Sequence, residues 1–195
     1  MGLSLIPGWD LGNHHSDGLQ TNVEGDHVVA SSCHDIETGM AVELWYGNRR
    51  NAEWLLYGGF VPDGENLYDY IELELSFSHE KQDPYARIRE MVFKTNNVRS
   101  SIRLTATSVE LSALEIQLMT KDELAVCLRQ GLEIGKTGRA RERAQVDFKT
   151  LIERHSLALE KVLLHDDSTT NKKMHLMVRR LVNSELALLQ KHVGA

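Results

Sequence analysis

The sequence predicts an α+β fold, with a β-rich first part followed by an all-α second part. Before about residue 80, glycines separate short elements, as is typical of tight turns; they are Gly12, Gly18, Gly25, Gly39, Gly47, Gly58, Gly59 and Gly64. Beyond that point, apolar residues recur with the spacing of amphipathic helices. We therefore predict one domain over residues 1–78 and a second over residues 79–195.

Five short elements are predicted in the first part. They are a β-type run over residues 28–30, a turn over 35–39, a buried strand over 41–46, a short helix over 51–57 and a half-buried strand over 70–77. The strands follow from β-branched or alternating apolar residues. The helix follows from Asn51, which can cap its start, and from Gly58-Gly59, which ends it.

The second part is predicted to be helical throughout. The helices are expected over residues 84–93, 108–119, 120–128, 139–164 and 171–192, with a glycine-marked loop over 131–138. Pro84 suits the first turn of its helix. Thr120 and Glu123 have the spacing of a capping box. The apolar stripe of the last helix is typical of the core of a helix bundle.

Composition and charge limit the possible partners. The 195 residues are 42% hydrophobic and 26% charged, which is ordinary for a globular protein. A formal net charge of −6 disfavours non-specific nucleic-acid binding, so no nucleic-acid partner is predicted. Cys33 and Cys127 are the only cysteines, so a reducing compartment is expected rather than a disulfide framework.

The sequence shows no recognisable membrane-spanning or secretory segment. No apolar run reaches the length of a transmembrane helix, and the first residues lack the pattern of a secretory signal. We therefore predict no membrane partner and a cytoplasmic location, with access to the nucleus left open. The sequence does not indicate an oligomeric state.

A polar cluster follows the apolar start of the chain, in LIPGWDLGNH at residues 5–14. Asp10, Asn13 and His14 lie within five positions of one another, and polar groups near an apolar run need hydrogen-bond partners. One interpretation is a capped turn in which Asp10 or Asn13 makes a local hydrogen bond. The other is a site at which a polar ligand supplies the partners.

A second candidate site lies in AVELWYGNRRNAEWLLYGGF, residues 41–60. Tyr46 ends the predicted buried strand, where its hydroxyl can lie at the floor of a pocket as donor or acceptor. It can equally be a core tyrosine whose hydroxyl is satisfied by the backbone. Arg49 and Arg50 follow within one turn and are by default solvated surface charges.

A metal site is not predicted. His14, His15, His27, Cys33 and His34 cluster in the first part, but they form only one adjacent His pair and one Cys-His pair. Zinc sites usually have two ligand pairs at fixed spacing, and adjacent residues of a strand point to opposite faces. The nucleophile and phosphate-binding motifs GxSxG and GxxxxGK[ST] do not occur.

Two motifs together resemble those of SET-domain methyltransferases. They are WDLGNH at residues 9–14 and, some thirty residues later, a strand ending in YG that leads into NRRNAEWLLYGGF at residues 48–60. The resemblance is to the branch with a helical Rubisco-methyltransferase-type substrate-binding domain, and within it to the actin-histidine methyltransferases, which share the tryptophan before the aspartate. It extends through YIELEL at residues 70–75 and, more weakly, to NKKMHLMVRRLVNSELALL at residues 171–189.

The resemblance implies a role for each motif residue. In that family the two motifs thread past each other in a pseudoknot, which brings the first motif and the tyrosine together. Tyr46 would be the catalytic residue beside the methyl-transfer channel, and Trp9 and Arg49 would contact the substrate peptide. The residues implied for binding S-adenosyl-L-methionine are Asp10, Leu11, Gly12, Asn13, His14 and, through its backbone near the adenine end, Gly58.

The activity implied by the resemblance is methyl transfer from S-adenosyl-L-methionine to a protein, most closely to a histidine of actin. A neutral imidazole nitrogen would attack the sulfonium methyl in line, which requires alignment and exclusion of water. One alternative is a protein-lysine methyltransferase of the same branch. Others are an inactive module that binds actin or another protein, and an unrelated α/β interaction protein with chance motif matches.

The resemblance covers only the C-terminal part of the SET domain, including the pseudoknot region, and the substrate-binding domain that follows it. In the family a glycine-rich cofactor loop, and an asparagine that orients the target imidazole, precede the first motif. We expect these to lie outside this chain. A chain with half of the cofactor pocket is not expected to be active by itself.

Overall fold

The structure, a computed structural model, describes residues 8–75, 83–131, 138–164 and 171–193. It divides into two compact units, Met1–Asn48 and Arg49–Ala195. The start of the first motif, the end of the strand predicted over 70–77 and most of the predicted glycine-marked loop lie outside the described residues.

The first unit contains an antiparallel hairpin of β1 (His14–Glu24) and β2 (His27–Ser31). Gly25 and Asp26 join the strands, and Gly25 has a φ of 61°, a left-handed conformation that favours glycine in hairpin turns. The β-type run predicted over residues 28–30 is confirmed as part of β2. β1 was not predicted, because its sequence is mostly polar and its residues are mostly exposed.

Residues 43–46, here called the crossing segment, contact β1 at two separate points. The hydrogen bonds are Leu44 N–H to Asn13 O at 2.7 Å, Leu19 N–H to Glu43 O at 2.8 Å and Trp45 N–H to Leu19 O at 2.9 Å. Leu44 forms isolated bridges and is only 4% exposed. The strand predicted over residues 41–46 is therefore wrong. Its apolar centre is buried, but pairing at two points does not extend into a ladder.

The second unit begins with a short helical segment, residues 50–58. In it α1 (Asn51–Glu53) continues into a π-helical turn, Trp54–Gly58, and Gly59 ends the segment with a φ of 72°. The helix predicted over residues 51–57 and its glycine end are confirmed. The predicted cap is wrong, because Arg50 is the N-cap residue and Asn51 is the first helical residue.

A three-stranded antiparallel sheet follows, in the order β3 (Tyr70–Glu74), β4 (Ser101–Thr105) and β5 (Val109–Glu110). β3 confirms the predicted strand within its described part. The helix predicted over residues 108–119 is shorter, because β5 precedes α3 (Ser112–Leu118). A tight turn explains this difference: the Thr105 N–H donates to the Ser108 carbonyl at 2.9 Å, which pairs the flanking residues as strands.

The remaining helices agree with the predictions to within a few residues. They are α2 (Ala86–Thr95), α4 (Lys121–Gln130), α5 (Gly138–Leu164) and α6 (Lys172–Val193). The predicted capping box opens α4: the Thr120 N–H donates to Glu123 Oε2 at 2.7 Å, and the Glu123 N–H donates to Thr120 Oγ1 at 3.4 Å.

One hydrophobic core joins the sheet to these helices. Its most deeply buried side chains are Val92, Ile102, Leu104, Ile116, Met119, Leu124, Cys127, Ile152 and Leu189. β3 pairs along its length with β4, so strands on either side of the predicted 78/79 boundary share one sheet. The boundary itself stays a prediction. Among the described helices, none is long and apolar enough to cross a membrane.

Replacing Glu185 on α6 is expected to change how stability depends on pH. Burial raises the pKa of this carboxyl above its ordinary value of 4.5, the Asp69 charge raises it further, and Arg50 partly opposes both. With a raised folded-state pKa, the contribution of Glu185 to stability is complete below the unfolded-state pKa and is lost as pH rises through the folded-state pKa.

We therefore expect Glu185→Gln to increase the free energy of unfolding near pH 7 and to have less effect near pH 4. Urea unfolding across this range measures the difference. Glu153→Gln, at an exposed position of α5, serves as the control. A Glu185→Gln effect that does not vary with pH would contradict the assignment.

Candidate functional site

The first motif forms a single tight turn in the first unit. Residues Trp9–Leu11 make one turn of 3-10 helix, which Gly8 enters with a φ of 82° and Gly12 leaves in an extended conformation. Trp9 is partly buried, whereas Leu11 is 82% exposed. The backbone of Asp10 lies within the turn. The motif therefore contains the predicted turn, but Gly8 is its N-cap residue in place of Asp10 or Asn13, and the turn has no side-chain cap hydrogen bond.

Tyr46 lies against the end of this turn. Its hydroxyl donates a hydrogen bond to the carbonyl oxygen of Gly12. Its ring is tilted by 36° to the ring of His14, with 5.4 Å between the ring centroids. Tyr46 remains 37% exposed, so its hydroxyl is positioned by the protein while the ring stays accessible. The Tyr46 hydroxyl is thus hydrogen-bonded to a backbone carbonyl, as expected for a core tyrosine, although its ring is exposed.

The His14 ring holds the crossing segment through one nitrogen. Nδ1 lies 3.3 Å from the Tyr46 backbone nitrogen, which donates to it, and 3.2 Å from the Leu44 carbonyl oxygen. A single ring nitrogen cannot accept one bond and donate the other in the same protonation state. Acceptance from Tyr46 requires the proton on Nε2, whereas donation to Leu44 requires it on Nδ1. In either state His14 contacts the backbone next to Tyr46.

Asn13 uses its backbone carbonyl to hold the crossing segment, while its side-chain amide is exposed. Its carbonyl oxygen accepts the Leu44 N–H at 2.7 Å. Its side chain is exposed and makes no hydrogen bond to any residue in the described part of the chain. An exposed amide beside Gly12 and His14 leaves two donors and one acceptor for a polar ligand.

Two glycines allow the crossing segment to approach β1 and the turn. A Cβ atom at Gly18 would lie 2.5 Å from the Leu44 carbonyl carbon and 2.8 Å from the Trp45 nitrogen. At Gly12 it would lie 2.7 Å from the Leu44 side chain. Backbone atoms cannot rotate away as a leucine side chain can, so the constraint is more severe at Gly18.

Gly18→Ala is therefore expected to destabilise the first unit by about 1–3 kcal/mol, the cost of overpacking a close contact. Gly12→Ala should cost less, because Leu44 can change rotamer. Chemical unfolding and amide hydrogen exchange at Leu44 measure both effects. Ser16→Ala, at an exposed position of β1, should stay within about 0.5 kcal/mol. Unchanged exchange at Leu44 in Gly18→Ala would contradict the close approach.

Arg49 belongs to the second unit, at the start of the helical segment. Its guanidinium carbon lies 5.4 Å from the centroid of the Trp54 ring, which is within the range of a cation–π contact. Trp54 is only 3% exposed and so provides a fixed surface for the arginine. Arg49, Glu53 and Tyr57 line a cavity of about 440 Å³. Arg49 is itself exposed, and its guanidinium lies over the buried Trp54 ring.

Gly58 closes the π-helical turn, a conformation that often occurs at functional sites. A Cβ atom here would lie 2.9 Å from the Phe60 ring, which packs against Trp54 with 5.4 Å between ring centroids. A larger residue would displace that ring. Gly58 is exposed, and its predicted backbone contact with the cofactor stays a prediction.

Sequence reasoning missed a buried polar network beside Arg49. Asp69 and Asn51 are only 6% and 3% exposed, and the Asp69 carboxylate accepts the Asn51 N–H at 2.8 Å and the Asn51 Nδ2 at 2.7 Å. Ser184 of α6 donates to the same carboxylate at 2.7 Å. Asn51 was recognised in the sequence, but only as a cap. Its partners are too distant in sequence to be paired with it by spacing.

The structure brings part of the predicted site together. Gly12, His14 and Tyr46 are in contact within the first unit, and Trp9–Leu11 form the adjoining turn. Arg49 and Gly58 lie in the second unit. The individual roles of these residues stay predictions. Within the described ranges, no group of three His, Cys, Asp or Glu side chains has an arrangement suited to a metal ion.

The curated proteins with similar sequences include three named actin-histidine N-methyltransferase. The chain is 30% identical to those of Mus musculus and Homo sapiens over 98% of its length, and it covers 35% of each. It is 34% identical to that of Xenopus tropicalis over 63% of its length, covering 22% of that protein. The chain thus spans about a third of the first two. No protein-family model matches it.

Solved structures with a similar fold cover nearly the whole chain. The SET domain of LSMT bound to lysine and AdoHcy aligns with 97% of this chain and 48% of that one, at a TM-score of 0.71 and 16% identity. Rubisco LSMT bound to AdoMet aligns with a TM-score of 0.68 at 17% identity, covering 97% and 49%. The predicted resemblance to actin-histidine methyltransferases is confirmed by the sequence relatives, and the predicted α+β SET-type fold is confirmed by these structures.

Proposed function

We propose that this chain is part of an S-adenosylmethionine-dependent protein methyltransferase whose target is a histidine of actin. The proposal rests on the contacts of Tyr46 with Gly12, which ends the turn, and with His14, which begins β1. Relatives with 30% identity over 98% of the chain carry that activity in their names. Solved neighbours of the same fold are bound to AdoMet or AdoHcy.

The residues present fit S-adenosylmethionine as the cofactor. The exposed Asn13 amide and the polar backbone of Gly12 and His14 are suited to a ligand with many hydrogen-bonding groups. Gly58 can add a backbone contact in the second unit. We assign cofactor binding to Asp10, Leu11, Gly12, Asn13, His14 and Gly58. When bound, the cofactor supplies an electrophilic methyl group on a sulfonium sulfur.

Tyr46 is the proposed catalytic residue. Its hydroxyl proton is directed at the Gly12 carbonyl, which leaves the oxygen lone pairs facing elsewhere in a defined orientation. An oriented oxygen acceptor beside a reaction channel positions polarised groups without reorganising during the reaction. The His14 contact with the Tyr46 backbone maintains that orientation.

The proposed substrate is a protein segment, held by Trp9 and Arg49. Arg49 is a cation on a fixed aromatic surface, beside a cavity of about 440 Å³ that Glu53 and Tyr57 also line. This combination suits a peptide with a carboxylate or carbonyl oxygen near the target side chain. A histidine target is largely neutral near pH 7, whereas lysine must first lose a proton. A cytoplasmic location, where actin is accessible, is part of the proposal.

The test is methyl transfer by the complete gene product that carries this chain. It is incubated with labelled S-adenosylmethionine and two actin peptides, which have either histidine or lysine at the target position. We expect label in the histidine peptide, with a rate that levels off above about pH 6.5, where imidazole is neutral.

Other results would favour the alternatives. Transfer to the lysine peptide alone, with a rate rising toward about pH 10, would indicate a lysine methyltransferase. Actin binding without transfer and without S-adenosylmethionine binding in calorimetry would indicate a binding module. Absence of both binding and transfer would contradict the proposal.

A further inference from the structure

We propose that Asn51, Asn66, Asp69 and Ser184 are positioning residues for Arg49, through which α6 sets the geometry of the substrate-contacting end of the helical segment. The inference rests on the proposed function, in which Arg49 contacts the substrate peptide. None of these residues touches the peptide in this assignment. They act by fixing the backbone from which Arg49 projects.

The centre of the network is the Asp69 carboxylate, which is 6% exposed. Its Oδ1 accepts the backbone N–H groups of Asn51 at 2.8 Å and Tyr70 at 3.1 Å. Its Oδ2 accepts from Asn51 Nδ2 and Ser184 Oγ, each at 2.7 Å. Four donors on one buried carboxylate hold the start of α1 in a single orientation, since each bond constrains direction as well as distance.

Asn66 extends this network to Arg49 itself. Its Nδ2 donates to the Arg49 carbonyl oxygen at 2.8 Å and to Asn51 Oδ1 at 2.9 Å. The Arg49 guanidinium lies over the Trp54 ring at the other end of the residue. Arg49 is thus fixed at both ends, by Asn66 at its backbone and by Trp54 at its side chain.

Ser184 connects the network to α6, more than a hundred residues along the chain. Its hydroxyl donates to Asp69 and accepts from Asn51 Nδ2 at 2.8 Å. Two ion pairs also link α6 to the loop that precedes β3. They join Arg180 to Asp63 at 2.7 Å and Lys191 to Glu65 at 3.4 Å. Exposed ion pairs contribute little to stability. The partly buried Ser184 hydroxyl is therefore the hydrogen-bonded connection from α6 to the network.

The test compares Ser184→Ala, Ser184→Thr and Asn183→Ala in the complete gene product. Asn183 is the exposed neighbour of Ser184 on α6 and gives a matched control. Calorimetry measures the Kd of the histidine-containing actin peptide, and urea unfolding records stability separately. Each variant is also made in an Arg49→Ala background, which forms a double-mutant cycle.

We expect Ser184→Ala to weaken peptide binding about 5–10-fold, the size expected for loss of one hydrogen bond. Ser184→Thr, which keeps the hydroxyl, should restore binding, and Asn183→Ala should leave it unchanged. In the Arg49→Ala background Ser184→Ala should have no further effect on the Kd. An equal loss with and without Arg49, or no loss in either, would overturn the proposal.

A wild-type protein that does not bind the actin peptide would contradict the proposed function but not the positioning network. Amide hydrogen exchange of residues 50–58 then decides the matter. Faster exchange there in Ser184→Ala, with no change in Asn183→Ala, supports positioning through α6. Unchanged exchange in Ser184→Ala overturns it.

Discussion

Tyr46→Phe is expected to slow methyl transfer by about 100-fold or more, the loss typical of removing one oriented group from a reacting site. The substitution removes the hydroxyl that donates to the Gly12 carbonyl and keeps the ring against His14. Because Tyr46 is 37% exposed, the free energy of unfolding should fall by only about 1 kcal/mol. Initial rates of the complete gene product at saturating S-adenosylmethionine and actin measure the effect.

Tyr68→Phe provides the matched control for this prediction. Tyr68 is 55% exposed, so the same atom is removed from an open position of the second unit. Its rate should equal that of the wild type. If Tyr46→Phe retained more than about a third of the wild-type rate, the role assigned to Tyr46 would be untenable.

Asp69→Ala is expected to lower the free energy of unfolding by about 3–5 kcal/mol, because several buried donors lose their acceptor at about 1–3 kcal/mol each. The change leaves the Asn51 backbone N–H and the Ser184 hydroxyl without their acceptor, and it removes one of the two acceptors of Asn51 Nδ2. Buried donors that lose their partners pay their full desolvation cost. Urea or thermal unfolding measures the loss.

Asp63→Ala separates this effect from the loss of any aspartate in the same loop. Asp63 pairs with Arg180 at 2.7 Å, but its side chain is 86% exposed, so we expect a loss of about 0–1 kcal/mol. The loss for Asp69→Asn should lie between those for Asp63→Ala and Asp69→Ala, because asparagine keeps one acceptor oxygen but places an amide group against donors. Equal losses for Asp63→Ala and Asp69→Ala would mean that the network does not stabilise the fold.

Patterns confined to a few neighbouring residues predicted the structure well. The capping box of Thr120 and Glu123 marks the start of α4, and Gly59 ends the helical segment in a left-handed conformation. The long helices α5 and α6 follow from their apolar periodicity. In these cases the interaction that determines the element lies within one or two turns of the residues that reveal it.

Features that depend on distant partners were predicted less well. Residues 41–46 have the apolar composition of a strand, yet Leu44 bonds to Asn13 and lies beside Leu19 without forming a ladder. β4 was not predicted and lies between two predicted helices, because its residues pair with β3 some thirty positions earlier. The proximity of Tyr46 to Gly12 followed from family resemblance, and the Asp69 network had no signal in local spacing.

The connection from β2 to the crossing segment, residues 32–42, is exposed at every position. The contacts of the crossing segment are made by Asn13 and Leu19, which precede this connection, and by residues 43–46, which follow it. Doubling the length of a flexible loop costs only about 0.6 kcal/mol in closure entropy. Related chains can therefore gain or lose residues here while keeping Tyr46 against Gly12, which makes this stretch a natural place for sequence lengths to diverge.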